Sequence, residues 1–224
     1  MTMQFCPASS RFVTRASGIT TWHGYSFGAH YDPDRVGFGA LVAHNDENLP
    51  AGTGYPDHPH SDTEIVSYVM SGALRHSSSV GSRELGPGSV QVLSAGSGVM
   101  HSEATEESDT RFIQAWVRPS APGLVPSYDA AADVNLDGLT CLVGPGALAI
   151  NAAASMWVAQ LSAGESVALP DAPRMHVFAG SGRVMLGEHA LNDGDSAHLL
   201  DEGGRQLSGD ADGSLALVWA FGCR

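Results

Sequence analysis

Short runs in which apolar and polar side chains alternate recur along this chain, each closed by a turn, and that rhythm admits short strands while excluding long helices. In the first half the runs are residues 65–70, 73–77, 90–93 and 111–117; in the second they are 175–179, 183–187, 197–200 and 215–220. Side chains on a strand point to opposite faces in turn, so a period of two marks strands with one buried face. Ser71-Gly72, Gly86-Pro87-Gly88 and Gly96-Ser97-Gly98 are typical of the turns between them. The 27 glycines and 12 prolines of the 224 residues supply these stops, and 43% apolar residues suffice for a core. Helical periodicity is confined to a short helix expected near residues 129–132. The fold class expected is all-β.

The two halves resemble each other. Ser71-Gly72-Ala73-Leu74, followed by Leu85-Gly86-Pro87-Gly88-Ser89-Val90, has a counterpart in Ser181-Gly182-Arg183-Val184, followed by Leu191-Asn192-Asp193-Gly194-Asp195-Ser196. A repeat of roughly a hundred residues is too long for a solenoid and suits two small barrels. The Pro- and Ala-rich stretch 119–134 reads as the linker, which predicts an N-terminal domain over 1–127 and a C-terminal domain over 128–224.

A formal net charge of -13, with basic residues scattered along the chain, leaves no block able to neutralise a run of phosphates. Nucleic acid is therefore excluded as a direct partner, and neutral or cationic partners are favoured. Cys6, Cys141 and Cys223 form an odd set without CxxC spacing, which argues against a disulfide framework or zinc knuckle and for a reducing compartment. No stretch has the apolar length of a signal peptide core or a membrane span. A soluble, cytoplasmic protein is expected.

The strongest local signal is Gly52-Thr-Gly-Tyr-Pro-Asp-His58-Pro-His60-Ser-Asp-Thr-Glu64, which runs straight into an apolar strand. If extended, it puts His58, His60 and Glu64 on one face. Some forty residues on, Val99-Met100-His101-Ser102-Glu103 offers a second same-face pair, and two such pairs can converge inside a barrel. Imidazoles with a carboxylate suit iron, manganese, cobalt, nickel, copper or zinc, and the thiolates of a structural zinc site are missing. The other histidines, His23, His30, His44, His76, His176, His189 and His198, have no same-face ligand partner at short spacing and read as hydrogen-bonded core or surface residues. Met70, Met100 and Trp116 read as barrel filling, with Met100 able to approach the metal pocket.

Gly52-x5-His58-x-His60-x3-Glu64 matches the first half of the first cupin motif, and HPHSDTEIVSYVMSGALRH, with GPGSVQVLSAGSGVMHSE after it, resembles the pirin family. Pirins also share the seven residues between Glu64 and Gly72 and the HSE that supplies Glu103. The resemblance covers most of the first half and weakens after Tyr128. It implies two tandem cupin barrels, jelly-roll-like in form, and a metal held by His58, His60, His101 and Glu103. Glu64 then either orients an imidazole or forms a cross-strand or rim contact. Registering Gly72 on Gly182 and Gly88 on Gly194 sets Ala168, Pro170 and Arg174 opposite His58, His60 and Glu64, and Leu207 and Gly209 opposite His101 and Glu103. The second barrel is thus expected to be a structural one without a metal site.

The resemblance further implies a dioxygenase that cleaves a flavonol such as quercetin with dioxygen at one divalent metal, iron(II) first, with nickel, manganese, cobalt, copper or zinc as alternatives. Glu103 is the candidate proton acceptor and Glu64 the reserve. The other implied reading is a metal- and redox-dependent regulator that binds a protein partner. Two fused barrels supply each other's packing, so a monomer is expected.

Overall fold

The computed structural model describes residues 2–132 and 134–222, so Cys223 lies outside the described residues. The strands begin with β1 (Thr2–Cys6), β2 (Phe12–Ala16), β3 (Ile19–His23), β4 (Leu41–Leu49), β5 (Gly54–His60), β6 (Glu64–Ser71) and β7 (Leu74–Ser78). They continue with β8 (Gly81–Leu85), β9 (Val90–Ser94), β10 (Val99–Ala104), β11 (Thr110–Val117), β12 (Ser127–Ala131), β13 (Leu139–Val143) and β14 (Ala154–Leu161). The last are β15 (Ser166–Ala168), β16 (Arg174–Ser181), β17 (Arg183–Leu186), β18 (His189–Asn192), β19 (Ser196–Leu200), β20 (Gln206–Gly209) and β21 (Ser214–Phe221). One short 3-10 helix, Ala8–Ser10, completes the secondary structure of the described residues. The fold is all-β, and every alternating run in the sequence forms a strand. None of the described helices is long and apolar enough to cross a membrane.

The segment expected as a short helix is instead β12, antiparallel to β9 with Tyr128 opposite Leu93. An isolated helical turn is too short to sustain itself. The open edge of β9 offers backbone partners that satisfy the segment's polar groups.

The chain divides into two compact units: one of Arg11–Val134 and Leu148–Ala152, the other of Met1–Ser10, Asn135–Ala147 and Ala153–Arg224. This division differs from a cut at 127/128 at both ends. β12 pairs within the first unit, whereas β1 pairs with β19 and so belongs to the second.

In the first unit a seven-stranded sheet runs β12-β9-β6-β11-β4-β3-β2, and a four-stranded sheet runs β5-β10-β7-β8. In the second the corresponding orders are β1-β19-β16-β21-β14-β13 and β15-β20-β17-β18. The order β9-β6-β11-β4 thus recurs as β19-β16-β21-β14, and the small sheets match strand for strand. This is the duplication read from the turns, built as two jelly-roll-like barrels. The first unit packs Leu49, Val69, Leu74, Leu85 and Phe112 into one cluster and Ile65, Leu93, Ala95 and Val99 into another. Each of the Leu, Val, Ile and Phe side chains contributes roughly 1.5–3 kcal/mol by leaving water.

Between these clusters runs a polar row. Successive ladder partners Gln91, Ser67, Gln114, Asn45 and His23 cross β9, β6, β11, β4 and β3, and all five are buried. Opposite this row lies the small sheet, where Gly54 lets β5 approach β10: a Cβ there would sit 2.4 Å from the carbonyl oxygen of Glu103. A bulge in β5 then shifts the register, so that His101 opposes His58 while Glu103 opposes Tyr55. The extra residue falls at Pro56-Asp57, where a missing N–H is tolerated.

Candidate metal centre

On β10, Val99, His101 and Glu103 point inward while Met100 is 46% exposed, so Met100 neither fills the barrel nor reaches the pocket. His58 and His60 come from β5, directly across the ladder. The donor atoms of His58, His60 and His101 lie within 4.8 Å of one another, and their ring centroids are 4.3–5.0 Å apart. Glu103 joins a second group of the same compactness with His101 and His76, on the inner side of the first. Of the four expected ligands, three therefore converge directly, and the fourth reaches them through His101.

His76 was read as structural, but the geometry corrects this. It stands opposite Glu103 on β7, is fully buried, and stacks on Tyr128 at 4.5 Å with the rings parallel. The signal was its position two residues after Leu74 on an inward face. Trp116 is also more than filling. Its ring meets His60 edge-on at 4.8 Å, and its Nε1 donates to Gln114 Oε1 at 3.0 Å.

Two amides grip Glu103, and each is aimed by an aromatic donor. Trp116 holds Gln114, whose Nε2 donates to Glu103 Oε2 at 2.8 Å and Oε1 at 3.1 Å. Tyr128 donates to Gln91 Oε1 at 3.0 Å, and Gln91 Nε2 donates to Glu103 Oε1 at 3.2 Å. Ser67 adds a longer bond at 3.4 Å. Complete burial nevertheless outweighs these donors and pushes the carboxyl up to about 7.

Burial also keeps the rings neutral. It lowers His60 and His76 to about 4, with His58 adding to the effect on His60. His101 falls to about 3, first through burial and then through His58, His60 and His76. His58 Nδ1 must donate to the Pro56 carbonyl at 2.8 Å, because a carbonyl only accepts, so Nε2 is the ring nitrogen available to a metal. Among the described residues, His60 Nε2 and both ring nitrogens of His76 and His101 are buried without a hydrogen-bond partner. Unpaired buried nitrogens are costly in a protein interior. Neutral imidazoles facing one another beside a carboxylate are the donor set that a divalent transition metal would satisfy.

Glu64 is fully buried but turned elsewhere. Ser94 Oγ donates to its Oε1 at 2.7 Å and the Asn151 backbone N–H to its Oε2 at 3.1 Å. It clasps residues 148–152 to the first unit, and neither bond goes to a histidine ring. In the second unit the ladder sets Leu207 opposite Leu186 as Glu103 is set opposite His76. Leu207 therefore takes the place of Glu103, not of His101, because Gly194 to Arg205 is a shorter step than Gly88 to His101.

His58, His60 and Glu103 open into a cavity of about 530 Å3 within the first unit. Phe27, Trp116, Ile19 and Pro56 supply its apolar walls, and Glu47, Tyr55, Thr21 and Asn45 its polar ones. His23, hydrogen-bonded to Asn45 and Thr14, stacks on Phe27 at 4.9 Å.

Residues 7–117 match the family model described as Pirin. Over 231 residues the chain is 38% identical to Rv0181c of Mycobacterium tuberculosis, an alignment spanning 97% of this chain and 94% of that one. The chain belongs to the pirin family. Among other pirin relatives, quercetin 2,3-dioxygenase of Escherichia coli is 36% identical over 143 residues, 62% of each chain. The crystal structure of the bacterial pirin YhhW from Escherichia coli in complex with nickel(II) superposes with a TM-score of 0.92, at 27% identity over 98% of this chain and 99% of that one. The His/Glu cluster of this pirin is thus a candidate site for a divalent metal.

Proposed function

We propose that this pirin is a metal-dependent dioxygenase that cleaves a flavonol such as quercetin with dioxygen, at a mononuclear site held by His58, His60, His101 and Glu103. The observation that carries the reading is the cluster of His58, His60 and His101, with unpartnered ring nitrogens on His60 and His101, whose members His58 and His60 line an aromatic-walled cavity together with Glu103. The activity in the name of the Escherichia coli relative and the nickel(II) bound by YhhW support it. When bound, the metal, iron(II) first and nickel, manganese, cobalt, copper or zinc otherwise, supplies Lewis acidity toward a substrate oxygen and electron exchange with dioxygen.

The chain's own residues do the rest. Glu103 Oε2 receives a single hydrogen bond, from Gln114, and retains capacity for the proton of the flavonol hydroxyl. Burial raises its pKa in the metal-free protein, and a bound cation would favour the ionised carboxylate, the form that can accept a proton. Gln114 and Gln91, aimed by Trp116 and Tyr128, hold the carboxylate in one orientation. Phe27 and Trp116 flank a flat ring system and exclude water from it.

Anaerobic loading with iron(II), addition of quercetin and admission of air should bleach the flavonol absorption and release carbon monoxide. His101→Ala should lose both metal and bleaching. Metal bound with the flavonol untouched would return the chain to the regulatory reading, and full activity in His101→Ala would remove the site from the chemistry.

A further inference from the structure

The cavity has a second buried carboxylate that proton transfer at Glu103 leaves unused. Glu47 lies on β4 between Thr21 of β3 and Phe112 of β11, lines the cavity and is only 4% exposed. Thr21 Oγ1 donates to its Oε2 at 2.5 Å, and the Tyr55 hydroxyl donates to the same oxygen at 2.7 Å. Both clamps therefore land on one oxygen, and Oε1 receives no hydrogen bond among the described residues. The residue as a whole is buried, yet Oε1 is the oxygen left open to the cavity, where water or a ligand hydroxyl can complete it.

The surroundings say what kind of ligand that is. Among the described residues, no Lys or Arg lines the cavity, so an anionic group at the Glu47 end, away from the proposed metal, would meet a carboxylate with no side-chain counter-charge. The apolar faces of Ile19, Phe27 and Trp116 suit an aromatic skeleton. Tyr55 sits opposite Glu103 on the ladder and reaches Glu47 with its hydroxyl, so the phenol ring spaces the two carboxylates along the cavity. A molecule filling it can present a hydroxyl to each.

We propose that Glu47, held by Thr21 and Tyr55, is the specificity-determining residue of the cavity: its Oε1 accepts a hydrogen bond from a hydroxyl on the substrate ring remote from the imidazoles, selecting uncharged polyhydroxylated aromatics over carboxylated ones. The inference rests on the proposed function for which end of the substrate meets the imidazoles.

Binding is measured without oxygen on the nickel(II)-loaded full chain, by quenching of tryptophan fluorescence. The probes are quercetin, which has two hydroxyls on its pendant ring, galangin, which has none there, and a flavonol carboxylated on that ring. At a pH above 7, where Glu47 is ionised, the wild type should favour quercetin over galangin by about tenfold, the range of a hydrogen bond to a charged acceptor, and should bind the carboxylated probe weakest. Glu47→Gln turns a donor towards the cavity; it should bind quercetin and galangin alike, with galangin unchanged, and should gain affinity for the carboxylated probe. Tyr55→Phe, which releases one clamp and keeps the carboxylate, should reduce the preference part-way.

An undiminished preference for quercetin in Glu47→Gln and Tyr55→Phe overturns the inference and leaves the proposed function standing. A Glu47-dependent preference without flavonol consumption by the iron-loaded protein in air supports the inference and removes the dioxygenase reading. Binding of neither flavonol to the wild type overturns both.

Discussion

The two barrels carry the same strand order and opposite interiors. In the first, the ladder row Gln91, Ser67 and Gln114 converges on Glu103; in the second, the corresponding ladder partners are Ala197, Val177 and Val218, and Leu207 stands where Glu103 does. Beside these, Leu186 replaces His76 and joins Leu161, Leu169 and Met175 in one continuous apolar cluster. The difference teaches that the carboxylate and its donors form a single unit. A buried Glu without its amides would bear the full cost of desolvation, and the amides without the Glu would be orphaned donors. Replacing the whole set by aliphatic side chains leaves nothing unsatisfied, which is how the second barrel keeps its fold.

The largest effect should come from importing one residue of the second barrel into the first. Glu103→Leu is expected to lower metal affinity and flavonol turnover by more than about a hundredfold, since it removes a proposed ligand where loss of a supporting contact alone typically costs 10–100-fold. Elemental analysis and turnover check this, and retained metal would break the comparison. The next effects form a matched pair. Gln114→Val should weaken metal binding by about 10–100-fold while the protein stays folded. Val218→Gln should destabilise the second unit by about 1–3 kcal/mol, because its amide would sit among aliphatic groups without a partner. Metal titration reads the first and denaturant unfolding the second; equal behaviour of the two variants would mean that the interiors are not specialised.

The smallest effect is a difference in acid sensitivity of the metal-free protein. Folded His60, His76 and His101 titrate near 4, 4 and 3, whereas an unfolded histidine titrates near 6.5. The unfolded chain therefore takes up these protons first, so the rings cost no stability above about 6.5 and progressively more as pH falls towards 4. Glu47 and Glu103, raised to about 7, act in the opposite sense between about 4.5 and 7, because the folded state binds their protons first. Three imidazoles against two carboxyls leave a net loss in the first unit. In the second, the position of His76 is an aliphatic Leu186, and burial lowers His198 to about 4, a smaller set than the three rings of the first. Hydrogen exchange at falling pH should show protection lost first in β5, β7 and β10, and a uniform loss would blunt the contrast.

The strands and the convergence of the candidate ligands were legible because both depend on short-range periodicity. His58, His60, His101 and Glu103 declare themselves by i, i+2 spacing on strands, and Val99, His101 and Glu103 do point to one side. His76, Gln91, Gln114, Trp116 and Tyr128 escaped because what makes them matter is ladder register between strands far apart in sequence. A trace was present: Gln91 lies between Val90 and Val92, and Gln114 between Ile113 and Ala115, polar residues in strands that are otherwise core. Tyr128 was hidden by its place in a stretch that read as linker, although it aims Gln91 at Glu103. The offset of Leu207 has the same origin, since matching turn glycines cannot detect a shortened approach to the following strand.

The pairing of β1 with β19 sets an order of events on the ribosome. Everything the first barrel needs has emerged once residue 152 is out, so its candidate metal cluster can be assembled while the second barrel is still being made. β1 must wait for its ladder partner until residues 196–200 have been made, long after the first barrel's strands. A bulky tag at the amino end would therefore be felt by the last-built barrel rather than by its neighbour in sequence, and cutting the gene between the barrels would leave the later half without an edge.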